Sequence, residues 1–186
     1  EAVPEDKTVS LGRIEGGVYT NEYVGIGCTL DSNWSFYTAE ELQELPAQTS
    51  ELLQDTEYSD ATLRQITDMM AENVNDMSNM NIQYTKLNMQ ERLVYATMDY
   101  EAFADMILGE SASMAEAYAQ AGIENAVLEK VTVNYLGEER VAIRTSATIQ
   151  GYPYYILQLF EHDLGTFSSI FEDTTESMLD LFYKLN

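Results

Sequence analysis

Between residues 131 and 160 the chain alternates apolar and polar side chains again and again, with only short breaks. Val131, Val133 and Tyr135 alternate with polar neighbours, and Leu136-Gly-Glu-Glu139 makes a turn. Val141, Ile143, Ala147 and Ile149 then alternate with Arg144, Ser146, Thr148 and Gln150. A period of two puts every second side chain on one face of an extended strand. Gly151-Tyr-Pro153 turns the chain once more, and from Tyr154 to Phe160 both parities are largely apolar, the pattern of a strand covered on both faces at the centre of its sheet. Breaks this short join antiparallel neighbours, so the C-terminal half is constrained to a meander. Phe167, Ile170 and Phe171 predict a last strand, after which Asp173-Thr-Thr-Glu176 caps an amphipathic helix through Met178, Leu179, Phe182 and Leu185.

The N-terminal half carries weaker signals of the same kind. Residues 1–17, with Pro4, mixed charges and Gly12, Gly16 and Gly17, lack periodicity and read as a tether that becomes ordered near Ile14. Val24, Ile26, Cys28 and Leu30 share one side of an extended segment, and Asp31-Ser-Asn33 turns it into Trp34 and Phe36, so a hairpin is expected over 18–37. Thr38-Ala-Glu-Glu41 is a capping box that opens a helix with Leu42 and Leu45 inward, interrupted by Pro46. Residues 61–88 are ambiguous: Leu63, Ile66, Met70, Val74 and Met77 keep helical spacing, whereas Met80, Ile82 and Tyr84 alternate as in a strand. A longer helix starts at Asp99 and runs through Tyr100, Phe103, Ile107, Met114, Ala117, Tyr118 and Ala121 to Gly122, with Gly109 a point where it could break. Segregated strands and helices of this order predict an α+β fold, an antiparallel sheet with helices packed on its faces, in one domain over 18–186.

Composition excludes more than it assigns. The 186 residues hold 32 acidic against 9 basic side chains, a formal net charge of −23 spread along the chain. Such a surface repels phosphate backbones and anionic headgroups, so nucleic acid is excluded as a partner, and so is polybasic docking to a membrane. Acidic loops at Asp55-Thr-Glu57 to Asp60 and at Glu161-His162-Asp163 lack the EF-hand ligand spacing, and no metal or cofactor is expected. Cys28 is the single cysteine and sits where a small buried hydrophobe belongs, which rules out an intrachain disulfide. One Cys and one His, His162, are too few to point to a nucleophile and its base, and no catalytic residue is assigned.

The order Tyr19-x-Asn21-x-Tyr23-x-Gly25-Ile26 leading to Trp34, then Asp68-Met-Met-Ala71 and Asn81-Ile82, then the closing meander and helix, resembles a group of secreted lipoprotein domains of Gram-positive gut bacteria with a PsbP-like fold. The resemblance covers most of residues 18–186. Asp31-Ser-Asn33 stands where relatives carry a Pro-x-Gly turn. It implies an α/β/α sandwich, a hairpin over about 64–72 and 80–87, and an export signal with a lipid-modified cysteine upstream of Glu1. An extracellular, cell-surface address follows, with membrane attachment only through that anchor. It implies no activity. The functional expectation is therefore a non-enzymatic module that binds a protein, peptide or small ligand, with Trp34, Tyr152 and Tyr154 as the candidate contact residues. The alternatives are an envelope hydrolase using a carboxylate pair and an envelope assembly or chaperone-like factor.

Overall fold

The computed structural model describes residues 11–42, 44, 65–85, 89–161, 164–170 and 175–186. The strands are β1 (Arg13–Glu15), β2 (Val18–Asn21), β3 (Ile26–Thr29), β4 (Trp34–Phe36), β5 (Gln65–Asn73), β6 (Asn79–Thr85), β7 (Ile123–Tyr135), β8 (Glu138–Ile149), β9 (Tyr152–Glu161), β10 (Leu164–Ile170) and β11 (Phe182–Lys184). Three α-helices lie between β6 and β7: α1 (Met89–Tyr95), α2 (Tyr100–Gly109) and α3 (Ser111–Gln120); a 3-10 helix, η1 (Thr175–Leu181), precedes β11.

The strands form two antiparallel sheets. The larger has seven strands in the order β4-β5-β6-β10-β9-β8-β7, and the smaller has four in the order β1-β2-β3-β11. The C-terminal meander is present as the alternation requires, with β9 between β10 and β8. Its β8–β9 turn is tighter than the Gly151-Tyr-Pro153 reading: Gln150 and Gly151 both have positive φ, and Tyr152 and Pro153 already belong to β9. Residues 65–85 form the β5–β6 hairpin expected from the family resemblance, because pairing on both sides overrides the helical spacing of the first segment. The class is α+β with antiparallel sheets.

One face of the large sheet carries α2 and α3, where the Phe103 ring meets Phe160 edge-on at 4.9 Å. Asp99 accepts from the Ala102 backbone N–H as the cap of α2, and the expected long helix breaks at Glu110 into two. The other face is covered by the small sheet and η1. There Tyr19, Ile26, Cys28 and Phe182 pack with Met69, Met80, Ile82, Tyr135, Leu157, Met178 and Leu179 in a single core.

Three expectations change. The hairpin expected over 18–37 does not close on itself: β3 pairs with β2 and β11, while β4 pairs with β5 in the other sheet. Asp31-Ser-Asn33 is therefore a crossing between layers, with Asp31 Oδ1 accepting from the Asn33 N–H at 2.8 Å. The closing helix is replaced by η1 and then β11, because Phe182 sits in the core 6.0 Å from the Tyr135 ring and its backbone completes the open edge of β3. Within the segment expected as a tether, Arg13–Glu15 pair with β2 across Gly16 and Gly17, both at positive φ, which makes a two-residue hairpin turn. The capping box is present, with the Glu41 N–H donating to Thr38 Oγ1 at 3.2 Å and the Thr38 N–H to Glu41 Oε2 at 2.7 Å. Leu45, Pro46, the loop from Asp55 to Asp60, His162, Asp163, Phe171, Asp173 and Thr174 lie outside the described residues.

Candidate functional site

The signature residues Tyr19, Asn21 and Asp68 are far apart in sequence and meet in one buried cluster between the two sheets. Asp68 occupies the irregular step of β5 between Thr67 and Met69, where the register with β6 shifts. An extra residue at such a bulge turns its side chain off the strand's alternation, here toward the small sheet. Its carboxylate accepts the Tyr19 hydroxyl at 2.6 Å, Asn21 Nδ2 at 2.9 Å, and the Gly12 N–H at 2.9 Å on each oxygen. Asn21 Nδ2 also donates to the Tyr19 oxygen at 2.9 Å, and its Oδ1 accepts the Val24 N–H at 3.1 Å. Gly12 closes the cluster because a Cβ there would lie 2.3 Å from the Tyr19 ring. These groups saturate one another, and the chemistry they suit is fastening β2 to β5.

A second polar centre lies where β8 and β9 part. Their ladder runs from Ile149–Tyr152 to Ile143–Gln158 and stops there, although β8 begins at Glu138 and β9 continues to Glu161. Arg140 bridges the opening. Its Nη1 donates to Glu161 Oε1 at 2.6 Å and its Nη2 to the Phe160 carbonyl at 2.8 Å, while its guanidinium stacks 4.1 Å from the Tyr100 ring centre. Tyr100 donates to Glu161 Oε2 at 3.1 Å, and its hydroxyl is pushed up first by burial and then by the Glu161 charge. Beside it is a hollow of about 20 Å³ lined by Tyr95, Met98, Asp99, Tyr100, Phe103 and Phe160. That is room for about one water molecule.

The aromatic candidates are distributed rather than gathered. Trp34 stands on β4 at one edge of the large sheet, half-buried against the core. Tyr152 and Tyr154 stand two residues apart on β9, four strands away, or roughly 19 Å at the usual strand spacing. Tyr152 is 68% exposed. Tyr154 is half-buried near Tyr118, whose hydroxyl is pushed up by burial and by Tyr154. Two other concavities among the described residues are open grooves. One of about 490 Å³ is lined by Arg13, Thr20, Glu22, Gly25, Leu185 and Asn186, and one of about 310 Å³ lies between Asn134, Leu136, Leu179 and Tyr183.

Other titratable groups have surface roles. The Thr38 N–H pulls Glu41 down, and Lys184 does the same to Glu138, directions that belong to a cap and an ion pair rather than to a general acid. Burial pushes the Cys28 thiol up to about 12. Among the described residues no group of three or more His, Cys, Asp or Glu side chains is placed to hold a metal ion, and no helix is long and apolar enough to cross a membrane. Sequence reasoning missed Arg140 as a structural centre and missed α1. The first had no distinct signal, since Arg140 follows Glu138-Glu139 at the start of its strand; the second had one, Asn88-Met-Gln-Glu91, an N-cap residue with a glutamate three positions on.

No family model matches the chain, and no curated protein matches it. Among solved structures the chain is similar to cyanobacterial PsbP (CyanoP) from Synechocystis sp. PCC 6803, with 10% sequence identity over 99% of this chain and 98% of that one, at a TM-score of 0.48. At this identity and score the likeness assigns this chain neither a family nor a function.

Proposed function

We propose that the chain is a non-enzymatic binding module that engages a protein or peptide outside the cytoplasm, held at the cell surface by an anchor upstream of residue 1. In its finer form the proposal places it among the secreted lipoprotein domains of Gram-positive gut bacteria that the Tyr19, Asn21 and Asp68 signature resembles. The observation that carries the reading is open relief on the described surface: two open grooves of about 310 and 490 Å³ lie there, and the carboxylates of its polar centres, Asp68 and Glu161, are held by their own neighbours. Sites for small molecules enclose most of the ligand's surface, whereas open relief on a rigid sheet suits contact with another macromolecule. The strongly anionic surface favours partners that carry basic groups.

The test is a binding screen of the soluble chain against surface proteins, peptides and envelope glycans, paired with turnover assays on glycoside and ester panels. Saturable binding to a protein or peptide without turnover is the expected result. Steady turnover of any substrate that survives repurification, or a clean null across the whole binding panel, contradicts the reading.

A further inference from the structure

Sheet edges offer rows of unpaired backbone N–H and C=O groups, and proteins usually blunt them. Among the described residues the two sheets have four edges, and three are strands of only three residues: β1, β4 and β11. The fourth is β7, with 13 residues, which among the described residues pairs only with β8. At the usual rise it extends about 44 Å. Its irregularity, with Asn125 at positive φ, is confined to the stretch between Glu124 and Val127. From Val127 to Tyr135 the register with β8 is unbroken. Although α2 and α3 pack over one face of β7, Lys130, Thr132 and Asn134 remain exposed, and Val127 is 63% exposed.

From this we infer that β7 is a strand-addition site for an extended, basic segment of a partner protein. The inference rests on the binding-module reading and names the surface and the partner chemistry. Main-chain hydrogen bonds to the open side of β7 supply the attachment, and alternate side chains of the added strand supply selectivity. Charge selects the occupant. Glu124 and Glu129 are exposed on the strand, and its one cation, Lys130, is held by both Glu101 and Asp105 at 2.6 Å each. Arg144 lies opposite Glu129 on β8, but its guanidinium is paired with Glu176. A second copy of the chain would bring a net charge of −23 against another of −23, which disfavours self-pairing at this edge.

The test uses the full chain and a peptide of about ten residues alternating Lys and Val, a length that matches the regular part of β7. Amide exchange is followed with and without it. The expected result is slowed exchange at those alternate residues between Val127 and Tyr135 whose N–H groups face away from β8. N-methylation of the peptide's backbone on one parity abolishes binding, and on the other parity it is tolerated, because an added strand bonds through alternate residues. The same peptide with Glu for Lys does not bind, and the variant Glu124→Lys with Glu129→Lys weakens the Lys peptide about ten-fold. Equal sensitivity to both N-methylation parities, equal binding of the Glu peptide, protection elsewhere than β7, or dimerisation of the free chain through β7 overturns the proposal. A screened partner that binds while β7 amides exchange freely overturns the edge assignment and leaves the binding-module reading standing.

Discussion

Gly12 shows how much a single hydrogen atom decides in the clasp between the sheets. Its N–H reaches both oxygens of Asp68 at 2.9 Å, and this approach needs the Tyr19 ring close beside it. That ring is fully buried and its hydroxyl is tied to Asp68, so it cannot swing away from a new methyl group. Gly12→Ala is expected to cost about 2 kcal/mol in urea unfolding, and much less in a Tyr19→Leu background that has already lost the ring. Gly27 makes a useful contrast: a Cβ there would meet the Tyr183 ring at 2.5 Å, but Tyr183 is 40% exposed and free to move. Cys28 follows from burial in the same core. With its thiol pushed up to about 12, the folded protein holds almost no thiolate, so alkylation at mildly alkaline pH should wait for global unfolding; rapid labelling of the native state would contradict this. The sign for stability is fixed by the unfolded value of 9.0: the contribution is full below about pH 9 and erodes as pH rises toward 12, where the unfolded chain sheds its proton first. Tyr19, Asn21 and Asp68 were legible as a signature in the sequence. Their meeting was not, because it depends on a bulge that alternation alone does not reveal.

At the scale of elements, local patterns held where both neighbours of a strand are close in sequence and failed where the partner is distant. The meander was readable because its turns are short and its strands consecutive. The fate of β4 and β11 was not, since each pairs with a strand remote in the chain and tertiary pairing overrides local preference. Gly16-Gly17 was a hairpin signal already present in the sequence, hidden by reading the glycines as marks of a tether. Arg140 stands for another class of feature, a side chain that closes a gap the backbone leaves open. Arg140→Met removes the guanidinium from Glu161 and from the Phe160 carbonyl, in a place where the two side chains are only 14% and 18% exposed. A loss of about 2 kcal/mol is expected, along with faster amide exchange at the Glu161 end of β9. Unchanged exchange there would mean that the β8–β9 opening is held by packing alone.

For the whole molecule, two facts act together: a core fastened from inside by polar groups, and a surface carrying a net charge of −23. Self-repulsion on that surface weakens the compact state, and salt screens it. The melting temperature is therefore expected to rise by a few degrees between low and physiological ionic strength, read by calorimetry, whereas a fall would indicate that specific ion pairs dominate. Acidity, the lone cysteine and the α+β class are all legible in the sequence, because they follow from counting and period. The division into two sheets was not, since it requires knowing which strands meet. That division gives the signature residues their role: Tyr19, Asn21 and Asp68 hold the scaffold, and the binding we propose is assigned to the outer surface. The most direct test is urea unfolding of Asp68→Ala beside the unmodified chain. The carboxylate's removal strands the Tyr19 hydroxyl, the Asn21 amide and the Gly12 N–H, so a loss of about 3 kcal/mol is predicted. Superimposable unfolding curves would contradict it and return the cluster to candidacy as a working site.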